Sequence, residues 1–231
     1  MSEWTAPAPV LHWVESYPVL AWQADRPWLA ISSGVHGGGI GERSWVVNAT
    51  VGTNYDRADP GEHVAELAAA SGLSGAGTGL LTAVDVRLAV TNADNGVVAS
   101  ATTGIGLHPT WAAARSSAAP VLDPASGSSL DAAPGTINVV CWSPVRMSEA
   151  ALVNAVATVA EAKAQALREA EIPGTGTVTD AVVLLCPANG PAEAYGGPRS
   201  RIGSAMARAV HASIVEGLRV ESPRYEPWTG S

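Results

Sequence analysis

Gly174-Thr175-Gly176-Thr177-Val178-Thr179-Asp180 stands between a long helical pattern and an apolar run at 181–186. Glycines here let the chain turn sharply and approach a ligand closely. Three threonines and an aspartate place hydroxyls and a carboxylate at the mouth of a strand. The arrangement recurs upstream: Gly77, Thr78, Gly79 and Thr82 match Gly174, Thr175, Gly176 and Thr179 at one offset of 97 residues, and an apolar run at 84–90 follows. Helical sequence precedes each copy, and an Asn-Gly turn follows each, Asn95-Gly96 and Asn189-Gly190. Two apolar segments upstream of the copies carry an asparagine, 45–51 with Asn48 and 136–142 with Asn138. The pattern reads as a degenerate duplication: strand with Asn, helix, Gly-Thr-Gly turn, strand. Two copies fall short of the three that a solenoid needs, so a pseudo-symmetric fold is expected.

The expected class is α/β (or α+β): one mixed sheet flanked by helices. Its 231 residues suit a single domain, 1–231, with pseudo-halves at about 28–108 and 135–218, a connecting excursion at 109–134, and loose ends at 1–9 and 221–231. A hydrophobic content of 47% supports a substantial core. The net charge of −8, with no cluster of Lys and Arg, argues against a nucleic-acid or anionic-membrane surface. The two cysteines, Cys141 and Cys186, lie in apolar runs and read as buried free thiols. There is no signal-peptide pattern and no apolar stretch near the ~20 residues of a membrane helix, so a cytoplasmic setting is expected.

Residues 12–22 read as one or two strands broken at Pro18, and 28–33 as another strand, leading to the glycine run Gly37-Gly38-Gly39. Free N–H groups of such a run could cradle a phosphate or an amide carbonyl; a hairpin loop is the plainer reading. Asp59-Pro60-Gly61-Glu62 looks like a helix start with Asp59 as cap and Glu62 reaching back, and Gly72 as the stop. Residues 84–91 and 97–103 read as a hairpin about Asn95-Gly96. Ser148 caps the longest helix, to about Glu171, and a last helix runs over 202–218.

Lys163 is the unexpected side chain. At 3.6 residues per turn it falls on the apolar stripe of Leu152, Val156, Val159 and Leu167, whereas Glu161 falls on the opposite, polar face. Such a lysine either snorkels outward or enters a cavity, where Asp180 would supply its partner. Asn48 and Asn138 sit in apolar strands, where an amide needs a partner. The five histidines, His12, His36, His63, His108 and His211, have no metal-ligand spacing. There is no serine-hydrolase elbow.

The ordered set Ser32-Ser33, Gly37-Gly38-Gly39, Asn48, Tyr55, Gly79-Leu80-Leu81-Thr82-Ala83, Gly135-Thr136-Ile137-Asn138, Glu161-Ala162-Lys163, Gly174 to Asp180, and Tyr195-Gly196-Gly197 resembles the adenosylcobinamide amidohydrolase family. The resemblance implies hydrolysis of the amide between aminopropanol and the corrinoid of adenosylcobinamide (or its phosphate), giving adenosylcobyric acid for cobalamin salvage. It implies no metal or cofactor held by the protein, since cobalt arrives with the corrinoid substrate. It also leaves room for a homodimer. With it, Asp180 is expected as general base for a water and Lys163 as oxyanion stabiliser or proton donor. Glu161 stays a catalytic candidate on the resemblance alone. Gly37, Gly38, Gly39, Asn48, Thr82, Asn138, Thr175, Thr177, Thr179 and Tyr195 are expected to bind substrate. A competing scheme makes Thr175, Thr177 or Thr179 the nucleophile with Lys163 as base. The family usually has Thr before Glu-Ala-Lys, where this chain has Ala160; that departure motivates the alternative of a non-catalytic corrinoid- or small-ligand-binding protein.

Overall fold

The computed structural model describes residues 5–106, 109–113 and 135–220. The loose ends and the connecting excursion expected from the sequence therefore lie wholly or partly outside the described residues, at 1–4, 114–134 and 221–231. Eight strands and three α-helices are described: β1 (Val10–Val14), β2 (Tyr17–Ser32), β3 (Gly39–Thr50), α1 (Pro60–Ala70), β4 (Gly77–Thr82), β5 (Val90–Asp94), β6 (Val97–Gly104), β7 (Thr136–Trp142), α2 (Glu149–Glu169), β8 (Ala181–Pro187) and α3 (Arg201–Gly217). They form one mixed sheet in the order β4-β3-β2-β8-β7-β6-β5, with β1 beside β2. Two pairs are parallel, β3–β4 and β7–β8, and a helix crosses over between the strands of each. The other pairs are antiparallel.

Strand β2 joins the two parts of the sheet. Its first residues pair with β1 and its last with β8, while β3 follows its other edge. Gln23 pairs with Trp45 but Trp28 with Arg43, five steps along β2 against two along β3. Pro27 has no N–H for the ladder, so the interruption falls where the chain cannot pair. The break expected at Pro18 is not there. Pro18 pairs with Trp13, and the chain reverses at Glu15-Ser16, with Glu15 at φ 57°.

Beyond this irregularity the sheet folds on itself. Leu20, Trp22, Val46 and Leu80 pack against Val140, Trp142, Val183 and Leu185. The Trp22 and Trp142 rings lie 5.3 Å apart at 51°. The opposite face of β2 and β3 carries Val64, Leu67 and Ala68 of α1. The opposite faces of β6, β7 and β8 carry the apolar sides of α2 and α3. The layers are thus helix, sheet, sheet, helix. Leu152 on α2 is fully buried there, so Leu152→Ala is expected to cost about 2–5 kcal/mol, read as a lowered urea midpoint at unchanged slope.

Ser148 and Ser200 cap α2 and α3, accepting from Ala151 N at 3.1 Å and Gly203 N at 3.0 Å. Asp59 does not cap α1 with its side chain. Its carboxylate takes two hydrogen bonds from Arg57, at 2.9 and 2.8 Å, and a charge-assisted fork outcompetes a single backbone N–H.

The expected turn at Gly77–Thr82 is instead strand β4. A Cβ at Gly77 would strike the Trp45 ring and one at Gly79 would strike Val64, so these glycines serve close packing. The strand expected over 84–91 is a single 3-10 turn at Val86–Leu88 followed by β5. Side chains satisfy the backbone there: Thr50 Oγ1 donates to Val84 O at 2.9 Å and accepts from Val86 N at 3.0 Å, and Asp85 accepts from Arg87 N at 3.0 Å. The orders β1–β2–β3–α1–β4 and β5–β6–β7–α2–β8 run in parallel with the same pairing senses. The 97-residue match, however, sets strand β4 against the turn that precedes β8.

Candidate active site

In a β–α–β crossover the end of the helix returns to the start of the second strand, which brings the last third of α2 beside the turn before β8. Lys163 there forms an ion pair with Asp180. The two side chains are 17% and 14% exposed, so the pair is shielded yet reachable. The Asp180 carboxylate is held from four directions. Oδ2 accepts from Lys163 Nζ and from Thr177 N at 3.0 Å; Oδ1 accepts from Thr177 Oγ1 and from Ile137 N at 2.9 Å. Two oxygens offer about four acceptor sites, so all are in use.

The three threonines do different things. Thr175 fastens the neighbouring loop, with its N–H on Thr110 O at 2.9 Å and its hydroxyl accepting from Ala112 N at 2.9 Å. The Thr179 hydroxyl meets Thr136 Oγ1 at 2.7 Å and donates to Gly135 O at 3.2 Å. Only Thr177, of the three, donates its hydroxyl to Asp180.

Other expected site residues lie elsewhere. Glu161 is exposed on the outer face of α2 and joins no part of this cluster. Tyr195 is 74% exposed. The turn it begins is packed on the first half of α2: a Cβ at Gly196 would strike Ala151 O. Ala155 to Lys163 is eight residues of helix, about 12 Å. Asn48 and Asn138 are buried between the two parts of the sheet. Asn138 Nδ2 donates to Asn48 Oδ1 at 2.9 Å and Leu81 O at 3.0 Å, and Asn48 Nδ2 donates to Thr102 Oγ1 at 3.1 Å. Asn138 Oδ1 is buried with no protein partner among the described residues. Thr82 is buried too, its hydroxyl accepting from Val84 N at 3.0 Å.

The glycine run packs on β4. Arg43 donates to Gly37 O at 3.0 and 2.8 Å, and His36 stacks on Trp45 at 5.5 Å. Gly37 and Gly39 have φ of 60° and 84°, a region open to glycine. The start of this loop borders the strand that Asp180 introduces, for Ser33 N donates to Val182 O at 2.9 Å.

Sequence reasoning assigned no role to Ile137 N, nor to a cleft beside α1 lined by Tyr55, Arg57 and His63. Tyr55 and His63 are eight residues apart with a loop between them, so no periodicity links them; their stacking is visible only in three dimensions. Cys141 and Cys186 are free and buried, and burial raises both thiol pKa values. No helix among the described residues is long and apolar enough to cross a membrane.

The fold and cluster define an α/β protein in which a lysine, a carboxylate and a hydroxyl meet at one end of the sheet. The adenosylcobinamide amidohydrolase family model matches residues 8–226, and the chain belongs to that family. An adenosylcobinamide amidohydrolase of Methanosarcina mazei is 30% identical over 200 residues, covering 83% of this chain and 90% of that protein. One from Halobacterium salinarum is 38% identical over 101 residues, covering 42% of this chain and 43% of that protein. No solved structure matches the chain significantly.

Proposed function

We propose that the protein hydrolyses the amide joining aminopropanol to the corrinoid of adenosylcobinamide or its phosphate, releasing adenosylcobyric acid for cobalamin salvage. The observation that carries this reading is the meeting of Lys163, Thr177 and Asp180 in one shielded, reachable cluster. The protein holds no cofactor of its own in this scheme; cobalt enters and leaves with the substrate. Water gives a proton to Asp180 as it adds to the amide carbonyl, the C–N bond breaks, and Lys163 protonates the departing amine and regains its proton from Asp180. Lys163 also faces the charge that develops on the carbonyl oxygen.

Asp180 supports two readings of the nucleophile. It activates a water if one of its four donors swings away. The Thr177 hydroxyl already donating to Oδ1 favours the second, in which Thr177 attacks and water later releases the acyl group. Thr175 and Thr179 spend their hydroxyls on the backbone and on Thr136. The test is incubation of pure protein with adenosylcobinamide, followed by chromatography for adenosylcobyric acid and aminopropanol. Tight binding without either product would establish the binding-protein alternative. Mass spectrometry of a quenched reaction separates the two nucleophiles: an acyl adduct on Thr177 is expected only for the second.

A further inference from the structure

A cleft of about 450 Å³ opens between α1, the β1–β2 turn, the end of β3 and the loop at 52–57. This is within the size range of small-molecule sites, and no step above uses it. Its floor is apolar, from Val51 and Leu67, and Tyr17 and Tyr55 bring aromatic rings to its wall. The Tyr55 ring stacks on His63 at 5.4 Å and 16°, and its hydroxyl meets His63 Nδ1 at 3.0 Å. Burial is the largest cause of the raised Tyr55 pKa and of the lowered His63 pKa, which Arg57 lowers further. The pair is therefore neutral near pH 7, and His63 Nε2 has no hydrogen-bond partner among the described residues.

Charge selects the ligand. Arg57 is the cation of the lining, and its guanidinium is spent on Asp59 and Glu66 at 2.7–2.9 Å. Glu15 and Asp56 add carboxylates with no ion-pair partner among the described residues. A phosphate would meet repulsion here. A neutral molecule with a flat ring system and vicinal hydroxyls would meet aromatic faces, an imidazole nitrogen and carboxylate acceptors.

A chain of contacts runs from the cleft wall to the Lys163 cluster. Thr50 in its wall bonds Val84 O at 2.9 Å, and Val84 lies against Gly104. Gly104 pairs with Thr136, whose hydroxyl meets that of Thr179 next to Asp180.

We propose that this cleft binds a neutral nucleoside, and that in the reaction it receives the adenosyl group of the substrate while the amide lies at Lys163. The second clause rests on the proposed function; the first does not. Ala70 is exposed at the rim of the cleft, so Ala70→Trp would fill it without disturbing the core. Ligand-observed NMR titrations with 5′-deoxyadenosine and with AMP test the first clause. Saturable binding of the nucleoside is expected, AMP binding at least ~10-fold more weakly, with both lost in Ala70→Trp and weakened about 10-fold or more in Tyr55→Ala. Absence of 5′-deoxyadenosine binding to the wild type, or preference for AMP, overturns the proposal. For the second clause, kcat/KM is compared for cobinamide bearing adenosyl and bearing cyanide. The wild-type preference for the adenosyl form is expected to fall about 10-fold in both variants; an unchanged ratio overturns that clause. A protein that binds 5′-deoxyadenosine in the cleft but hydrolyses neither cobinamide would refute the hydrolase reading and leave the nucleoside site standing.

Discussion

Lys163→Met is expected to lower kcat on adenosylcobinamide by ~10²–10³-fold or more, the usual effect of losing an oxyanion-stabilising or proton-donating group. Methionine follows the lysine stem as far as Cε and lacks only the ammonium, so the packing on α2 survives. Asp180 keeps three of its four donors, Thr177 N, Thr177 Oγ1 and Ile137 N. The remaining carboxylate is therefore not stranded, and the stability cost should stay near that of one charged hydrogen bond, ~1.5–3 kcal/mol. A urea melt alongside steady-state kinetics separates the two effects. Folded Lys163→Met protein with near-normal kcat would remove the lysine from the chemistry. Asp180→Asn is expected to be as damaging to turnover, because an amide presents one acceptor oxygen where the cluster uses two.

The site was legible in the sequence where local geometry builds it. Helical phase alone puts Lys163 on the inner stripe of α2 and Glu161 outside, and the Gly-Thr turn puts Asp180 at the start of the next strand. What local geometry does not carry is the choice among the threonines. That choice depends on Gly135, Thr136 and Thr110, brought in from more than 40 residues away for the first two and from 65 away for the third. The fold divides in the same way. Helix ends with serine caps were readable to within two residues. Strand β4 was not, because its glycines look like a turn until Trp45 and Val64 are set against them. The two prolines of β2 hid its length, although one pairs normally and only the other interrupts the ladder. Asn48 and Asn138 announced a need for partners; that they bond each other across the folded sheet is a long-range contact.

Gly176→Ala tests the cluster without replacing any of its polar groups. Gly176 is not among the residues with positive φ, so alanine there carries no backbone strain. The effect of the added methyl is steric. Its Cβ would collide with Asp180 Oδ2 and lie 2.6 Å from Lys163 Nζ and 3.3 Å from Lys163 Cε. Asp180 is fixed by three bonds from the turn and from β7, whereas the ammonium ends a flexible chain on a helix. The lysine swings outward, and because that leaves the shorter contact with Asp180 Oδ2 unrelieved the carboxylate shifts as well, so the pair is broken from both sides. Turnover is expected to fall by about 10²-fold, approaching Lys163→Met, with a lowered urea midpoint as Asp180 shifts against its bonds to Thr177 and Ile137. The double variant decides whether this is the route. If the methyl acts by displacing Lys163, Gly176→Ala adds almost nothing in the Lys163→Met background, the strong non-additivity expected of two changes to one interaction. If the losses multiply, the methyl acts through Asp180 or elsewhere rather than by displacing Lys163.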